Sequence, residues 1–178
     1  MLKIRHIAKP KNVTGNAVRN LQYNMKHKLN FSSSYRQFYL ADKETSHNTD
    51  SDKFWTDQAF ADKLAVEKGI LGIGIENDEE IVKCELEILN SKSQIDNFDF
   101  YDHVVEASIE INSGILQVLD CPHSHIEFEV NIEPANYRVR VYSNNLQSAY
   151  EDEPEDFYQI EIWKENFSDR IVLKRFHA

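Results

Sequence analysis

Over residues 81–89, apolar Val82, Cys84, Leu86 and Ile88 alternate with polar Lys83, Glu85 and Glu87. Over 104–111, Val105, Ala107, Ile109 and Ile111 alternate with Glu106, Ser108 and Glu110, and Ile126, Phe128, Val130 and Ile132 repeat the rule against Glu127, Glu129 and Asn131. Successive side chains of an extended chain point to opposite faces, so each segment predicts a strand with one dry and one wet face. Shorter runs at 34–40, 70–76, 115–119, 137–143, 157–163 and 170–176 continue the series, divided by turn signals such as Asn112-Ser113-Gly114 and Glu133-Pro134-Ala135-Asn136. One stretch changes period. Thr56 can cap a helix, Asp57 suits its first turn, and Ala59, Phe60, Lys63 and Leu64 fall at helical spacing before Gly69. This predicts a helix over about 56–68 that lays Phe60 and Leu64 against a sheet. About eight or nine short strands with one helix give a mainly β fold, and the clean alternation favours an antiparallel two-sheet β-sandwich.

Charge divides the chain. Residues 1–33 hold seven of the twenty Lys and Arg and none of the thirty Asp and Glu, which leaves thirteen basic residues against thirty acidic ones beyond them, a net −17. We therefore expect a basic N-terminal extension at 1–33 and a single domain over 34–178. So acidic a body repels nucleic acid and steers toward basic proteins, so direct nucleic acid binding by the body is not expected. At 41% apolar and 11% aromatic residues, the chain is too rich in core-forming side chains for disorder. It has no apolar run approaching the roughly 20 residues of a membrane span. Two cysteines 37 positions apart, with no CxxC, point to a reduced compartment. The start is positively charged without a following apolar stretch, so it does not read as a signal peptide, and a cytoplasmic location is expected.

Candidate chemistry is sparse. Cys121-Pro122-His123-Ser124-His125 brings a thiol and two imidazoles within five residues, a donor set that zinc accepts, but Pro122 marks a turn and no second ligand pair completes a pattern. The expectation is a surface turn with Cys121 half buried and no metal. No GxSxG elbow is present, the seven histidines are scattered, and Gly69, Gly72 and Gly74 lack the helix and Lys-Ser/Thr of a phosphate loop, so close strand packing accounts for them better. No catalytic residue and no cofactor is expected. Glu85, Glu87, Glu106, Glu110, Glu127 and Glu129 fall on wet faces by alternation, where they serve solubility, and Arg138 and Arg140, outward on a neighbouring strand, can pair with some of them. The segment 148–158 differs, because it packs five carboxylates among three aromatics. It is either a plain solvated loop or a docking element for a basic groove, with Tyr150, Glu151, Asp152, Glu153, Glu155 and Asp156 as the partner-binding residues.

The order of segments resembles a known family. Ser34-Tyr35-Arg36-Gln37-Phe38, then Phe54-Trp55-Thr56-Asp57-Gln58-Ala59, then Gly69-Ile70-Leu71-Gly72-Ile73 are similar to the first half of the competence protein J family, inhibitors of the DNA-entry nuclease. Val104-Val105-Glu106-Ala107, Asn112-Ser113-Gly114-Ile115, Pro134-Ala135-Asn136-Tyr137-Arg138-Val139 and Asp156-Phe157-Tyr158-Gln159-Ile160 resemble its second half, so the likeness spans about residues 34–163. The resemblance implies a small non-catalytic protein that binds and blocks a metal-dependent nuclease. It transfers no binding residue, since the matched positions read as core and turn. The competing expectation is a ligand-binding module, for a carbohydrate for example, with Trp55, Tyr101, Tyr142 and Trp163 as aromatic platforms.

Overall fold

A computed structural model describes residues 26–46, 48–78 and 81–177. Its strands are β1 (Lys26–Ser32), β2 (Gln37–Asp42), β3 (Leu64–Glu67), β4 (Ile70–Gly74), β5 (Ile81–Leu89), β6 (His103–Ile111), β7 (Ile115–Leu119), β8 (Ile126–Asn131), β9 (Ala135–Asn144), β10 (Phe157–Lys164) and β11 (Ile171–Lys174), with helix α1 (Asp57–Asp62) between β2 and β3. They form two sheets, ordered β1-β5-β10-β9-β6-β11 and β3-β4-β2-β7-β8. The expected mainly β, two-sheet architecture with one short helix is what the chain adopts. The smaller sheet is antiparallel, while in the larger one β10 runs parallel to β5, with Ile160 opposite Leu86. Alternation reports which faces are dry, not the direction of the neighbouring strand, so this parallel pair left no mark on the sequence. Among the described residues no helix is long and apolar enough to cross a membrane.

The dry faces meet where the alternation placed them. Val82, Leu86, Ala107, Ile109, Val139 and Ile160 of the larger sheet pack with Phe38, Leu40, Leu71, Ile73, Leu116 and Val118 of the smaller one, all buried. Each large aliphatic side chain enclosed in this way stabilises the fold by roughly 1.5–3 kcal/mol. At the sheet edge β8 is wetter, and Ile126 is left exposed.

Three segments depart from expectation. Lys26–Ser32, the end of the basic extension, is the outer strand of the larger sheet, with Leu29 opposite Cys84 and Phe31 opposite Val82. Lys26 and Lys28 meet Glu85 and Glu87 on its wet side. The remainder of the extension, 1–25, lies outside the described residues. Helix α1 starts as expected, with the Thr56 hydroxyl accepting the Ala59 N–H at 3.1 Å, but it stops at Lys63, which is left-handed at φ 53°. It buries Ala59 and Asp62 and leaves Phe60 59% exposed, while Leu64 opens β3. Leu64–Glu67 pairs along β4 over its whole length, and the ladder formed there replaces the extra helical turn. The third departure follows the polar run 42–53, at Phe54 and Trp55. These two rings cover the outer face of the smaller sheet above Tyr39, Ala65, Ile70 and Leu119. Gly72 makes room, since a Cβ there would lie 2.7 Å from Trp55 and 2.8 Å from Phe54.

The wet face of the larger sheet is partly covered as well. Glu106, Arg138 and Arg140, expected in water, are all buried. The Arg138 Nε donates to Glu106 at 2.9 Å, Arg140 contacts the other oxygen of the same carboxylate, and both guanidiniums reach backbone carbonyls of the covering segments, at Ile95, Ser168 and Asp169. Alternation separates two faces but cannot say which stretch of each is later roofed by a loop.

Candidate interaction surface

Strand register carries the β1–β2 turn, α1, the β4–β5 connection, the 121–125 turn and the β9–β10 connection to one end of the sandwich. The β9–β10 connection contains the acidic segment. After Asn145 the chain makes a 3-10 turn, Leu146–Tyr150, anchored by the fully buried Leu146 and by its N–H, which donates to Asp102 at 2.9 Å. The Glu155 N–H donates to the Ser148 hydroxyl at 2.9 Å, and the Lys83 ammonium to the Pro154 carbonyl at 2.7 Å. Glu151, Asp152, Glu153 and Glu155 are exposed on this tethered loop.

Asp156 is not. It is 1% exposed, and its oxygens accept from the Asn77 amide at 2.6 and 2.7 Å and from the Tyr158 hydroxyl at 2.7 Å. Burial and the adjacent Asp156 carboxylate push the Tyr158 hydroxyl pKa well above its ordinary value, so it stays a donor. Asp156 therefore ties the loop to the β4–β5 connection, and five of the six residues expected to face a partner remain at the surface. Tyr150 is 56% exposed, and its hydroxyl donates at 2.8 Å to Glu76, whose other oxygen meets the Lys63 ammonium. Burial and Arg36 lower the Lys63 pKa to about 8.

Glu76 joins the acidic loop to a concave region that the sequence did not announce. A groove of about 310 Å³ between Glu76, Lys63, Phe60, Trp55, Tyr35 and Arg36 shares four of these residues with a cleft of about 640 Å³. Asp50, Asp52 and Asp78 stand around this larger cleft, and Gln37 and Cys121 line its inner part. Trp55 and Phe60 stack with centroids 5.1 Å apart and planes 25° apart. Tyr35 and Arg36 are consecutive non-glycine residues at φ 58° and 55°. A bulky side chain in the left-handed region costs about 1 kcal/mol or more, and such outliers concentrate at functional sites. The Cys121 Sγ accepts from the Tyr39 hydroxyl at 3.3 Å and the Gln37 amide at 3.2 Å, and burial raises the Tyr39 pKa. The Trp55 indole N–H finds no acceptor among the described residues.

The other candidates are not brought together. Cys121 is buried more deeply than expected, while His123 and His125 are exposed, with the His125 Nδ1 3.2 Å from Asp120. No three His, Cys, Asp or Glu side chains among the described residues are placed to hold a metal ion. Of the four aromatics weighed as carbohydrate platforms, Tyr142 and Trp163 are buried, Tyr101 is half-buried against Tyr142, and Trp55 alone borders the cleft. The residues missed, Tyr35, Asp50, Asp52, Phe60 and Asp78, come from three connections and from α1. Their one advance signal was the Phe54-Trp55 pair closing a long polar run.

No family model and no curated protein matches the chain. Two solved structures do. One is the crystal structure of ComJ, inhibitor of the DNA degrading activity of NucA, from Bacillus subtilis, with a TM-score of 0.59 and 16% identity over 79% of this chain and 96% of that one. The other is described as crocagin biosynthetic gene J, with a TM-score of 0.51 and 16% identity over 80% of this chain and 99% of that one. The resemblance expected from the sequence is thus borne out at the level of the fold.

Proposed function

We propose that this protein is a non-catalytic inhibitor that occupies the basic active-site groove of a metal-dependent nuclease in the cytoplasm. The observation that carries this reading is the fold likeness to ComJ, which spans nearly all of the ComJ chain. Charge supports it: a body of net −17 presents Glu151, Asp152, Glu153 and Glu155 on a loop braced at both ends, so carboxylates stand where a nuclease expects phosphates. Bracing lowers the entropy lost on docking. Tyr150, held by Glu76 and still more than half exposed, supplies an aromatic anchor beside them. Cys84 and Cys121 are both free thiols, in keeping with a reduced compartment.

The test is inhibition. Proteins captured from cells of the source organism at low salt are assayed for DNA cleavage, and the recovered nuclease is titrated with the purified protein. Cleavage is expected to fall to background at one equivalent, and the pair E151K/D152K to weaken binding by about tenfold or more. A captured set without nuclease activity, or an affinity that both charge reversals leave unchanged, refutes the proposal.

A further inference from the structure

We propose that the cleft between Tyr35, Trp55 and Phe60 is a receptor for an arginine side chain presented by a basic protein partner. The proposal rests on the reading that the partner is a basic protein, and it identifies which part of that partner is gripped, and where.

The cleft combines two chemistries that few ligands satisfy together. Its walls are aromatic faces, with Tyr35 69% and Phe60 59% exposed and Trp55 stacked on Phe60. Its rim carries Asp50, Asp52 and Asp78 against the single guanidinium of Arg36, a net of two negative charges. Arg36 approaches Asp78 only at 4.0 Å, and among the described residues no cation pairs with Asp50 or Asp52. Both of these aspartates are exposed and free to receive donors. Lys63, the other cation nearby, is already matched by Glu76.

A planar guanidinium lies flat on aromatic faces while its edge donates paired N–H groups to carboxylates. A lysine ammonium makes neither the stack nor the bidentate contact as well, and it sheds water less readily. A phosphate or a nucleic acid strand is repelled by the aspartates. A neutral sugar can use the rings but leaves the rim charges without a counterion. The volume, about 640 Å³, admits one long side chain with the backbone on either side of it. The groove leading toward Glu76 and Tyr150 continues the same face, so a segment seated here reaches the acidic loop.

The blocked peptide Gly-Arg-Gly is titrated into the full-length protein while the indole N–H resonances are followed by NMR. The chain has two tryptophans and Trp163 is buried, so a shift at Trp55, assigned with a Trp55→Phe variant, reports on the cleft. The arginine peptide should shift Trp55 saturably, with a lysine peptide at least threefold weaker and a citrulline peptide without effect. D50N/D52N, changed at two exposed positions, should weaken the arginine peptide about tenfold and keep the wild-type melting temperature. An unmoved Trp55 resonance, an equal response to citrulline, or unchanged affinity in D50N/D52N overturns the assignment. The two proposals fail separately. Should arginine bind here while the captured partners show no nuclease activity, the nuclease reading falls and the cleft stands. Should a nuclease be inhibited equally by wild type and D50N/D52N, with Trp55 unmoved by the peptide, the cleft falls and the nuclease reading stands.

Discussion

At the scale of single residues, His103 shows how burial turns a side chain into a pH-dependent part of the fold. It is 1% exposed, with its Nε2 2.9 Å from the Asp62 carbonyl and its Nδ1 3.2 Å from the Phe176 backbone nitrogen. A backbone N–H can only donate, so Nδ1 carries the lone pair and Nε2–H donates to Asp62, which fixes a neutral tautomer. Burial, with Lys63 and Arg175 nearby, lowers the pKa from 6.5 to about 4, against the opposing pull of the Asp62 carbonyl and carboxylate. The unfolded chain binds a proton near pH 6.5 and the folded chain does not. Stability from this site is therefore fully present above pH 6.5, is lost as the pH falls, and is gone near pH 4. The loss is about 3 kcal/mol, and urea unfolding of wild type and His103→Gln at pH 7 and pH 4.5 should show their difference shrinking by most of that amount. A difference that stays constant with pH contradicts the assignment. The alternating pattern gave no sign of this role, because His103 occupies the first position of a strand, where a polar residue is ordinary.

At the scale of elements, what the sequence made legible was whatever depends on local periodicity. β5, β6 and β8 lie where the period of two placed them, and Thr56 caps α1. β3 was hidden because Lys63 and Leu64 continue a helical spacing from Ala59 and Phe60, and only the pairing with β4 decides between helix and strand. β1 was hidden because its seven residues contribute just Leu29 and Phe31 to the dry side, a weak signal inside a basic stretch. The cleft was hidden for a related reason. Tyr35, Asp50, Trp55 and Asp78 sit on three connections that tertiary structure brings to one end. The element they depend on is β4, whose Gly72 leaves space under Trp55 and Phe54. Gly72→Ala forces both rings outward, since neither has flexible atoms to give way. It should destabilise the protein by about 1–3 kcal/mol and shift Trp55 fluorescence, as measured by thermal unfolding and emission spectra. Unchanged values for both would mean that the rings do not rest on the strand.

At the scale of the whole molecule, the two surface features at one end act on different steps of association. Glu151, Asp152, Glu153 and Glu155 are exposed and tethered, so they act at a distance, and salt screens them over a Debye length of about 8 Å at physiological ionic strength. Trp55 and Phe60 act only on contact, once water has left the cleft between them and the partner. Charges at a rim chiefly set the rate of encounter, whereas desolvated aromatic anchors chiefly set the rate of escape. E151K/D152K should therefore slow association with the proposed nuclease partner by about tenfold at low salt and leave dissociation within about twofold, and the deficit should vanish near 0.5 M salt. Phe60→Ala should do the reverse, speeding dissociation by about tenfold with association almost unchanged. Surface plasmon resonance at three salt concentrations separates the two rates. A charge variant that changes only dissociation, or a Phe60 variant that changes only association, would show that the loop is buried in the contact and the cleft lies outside it.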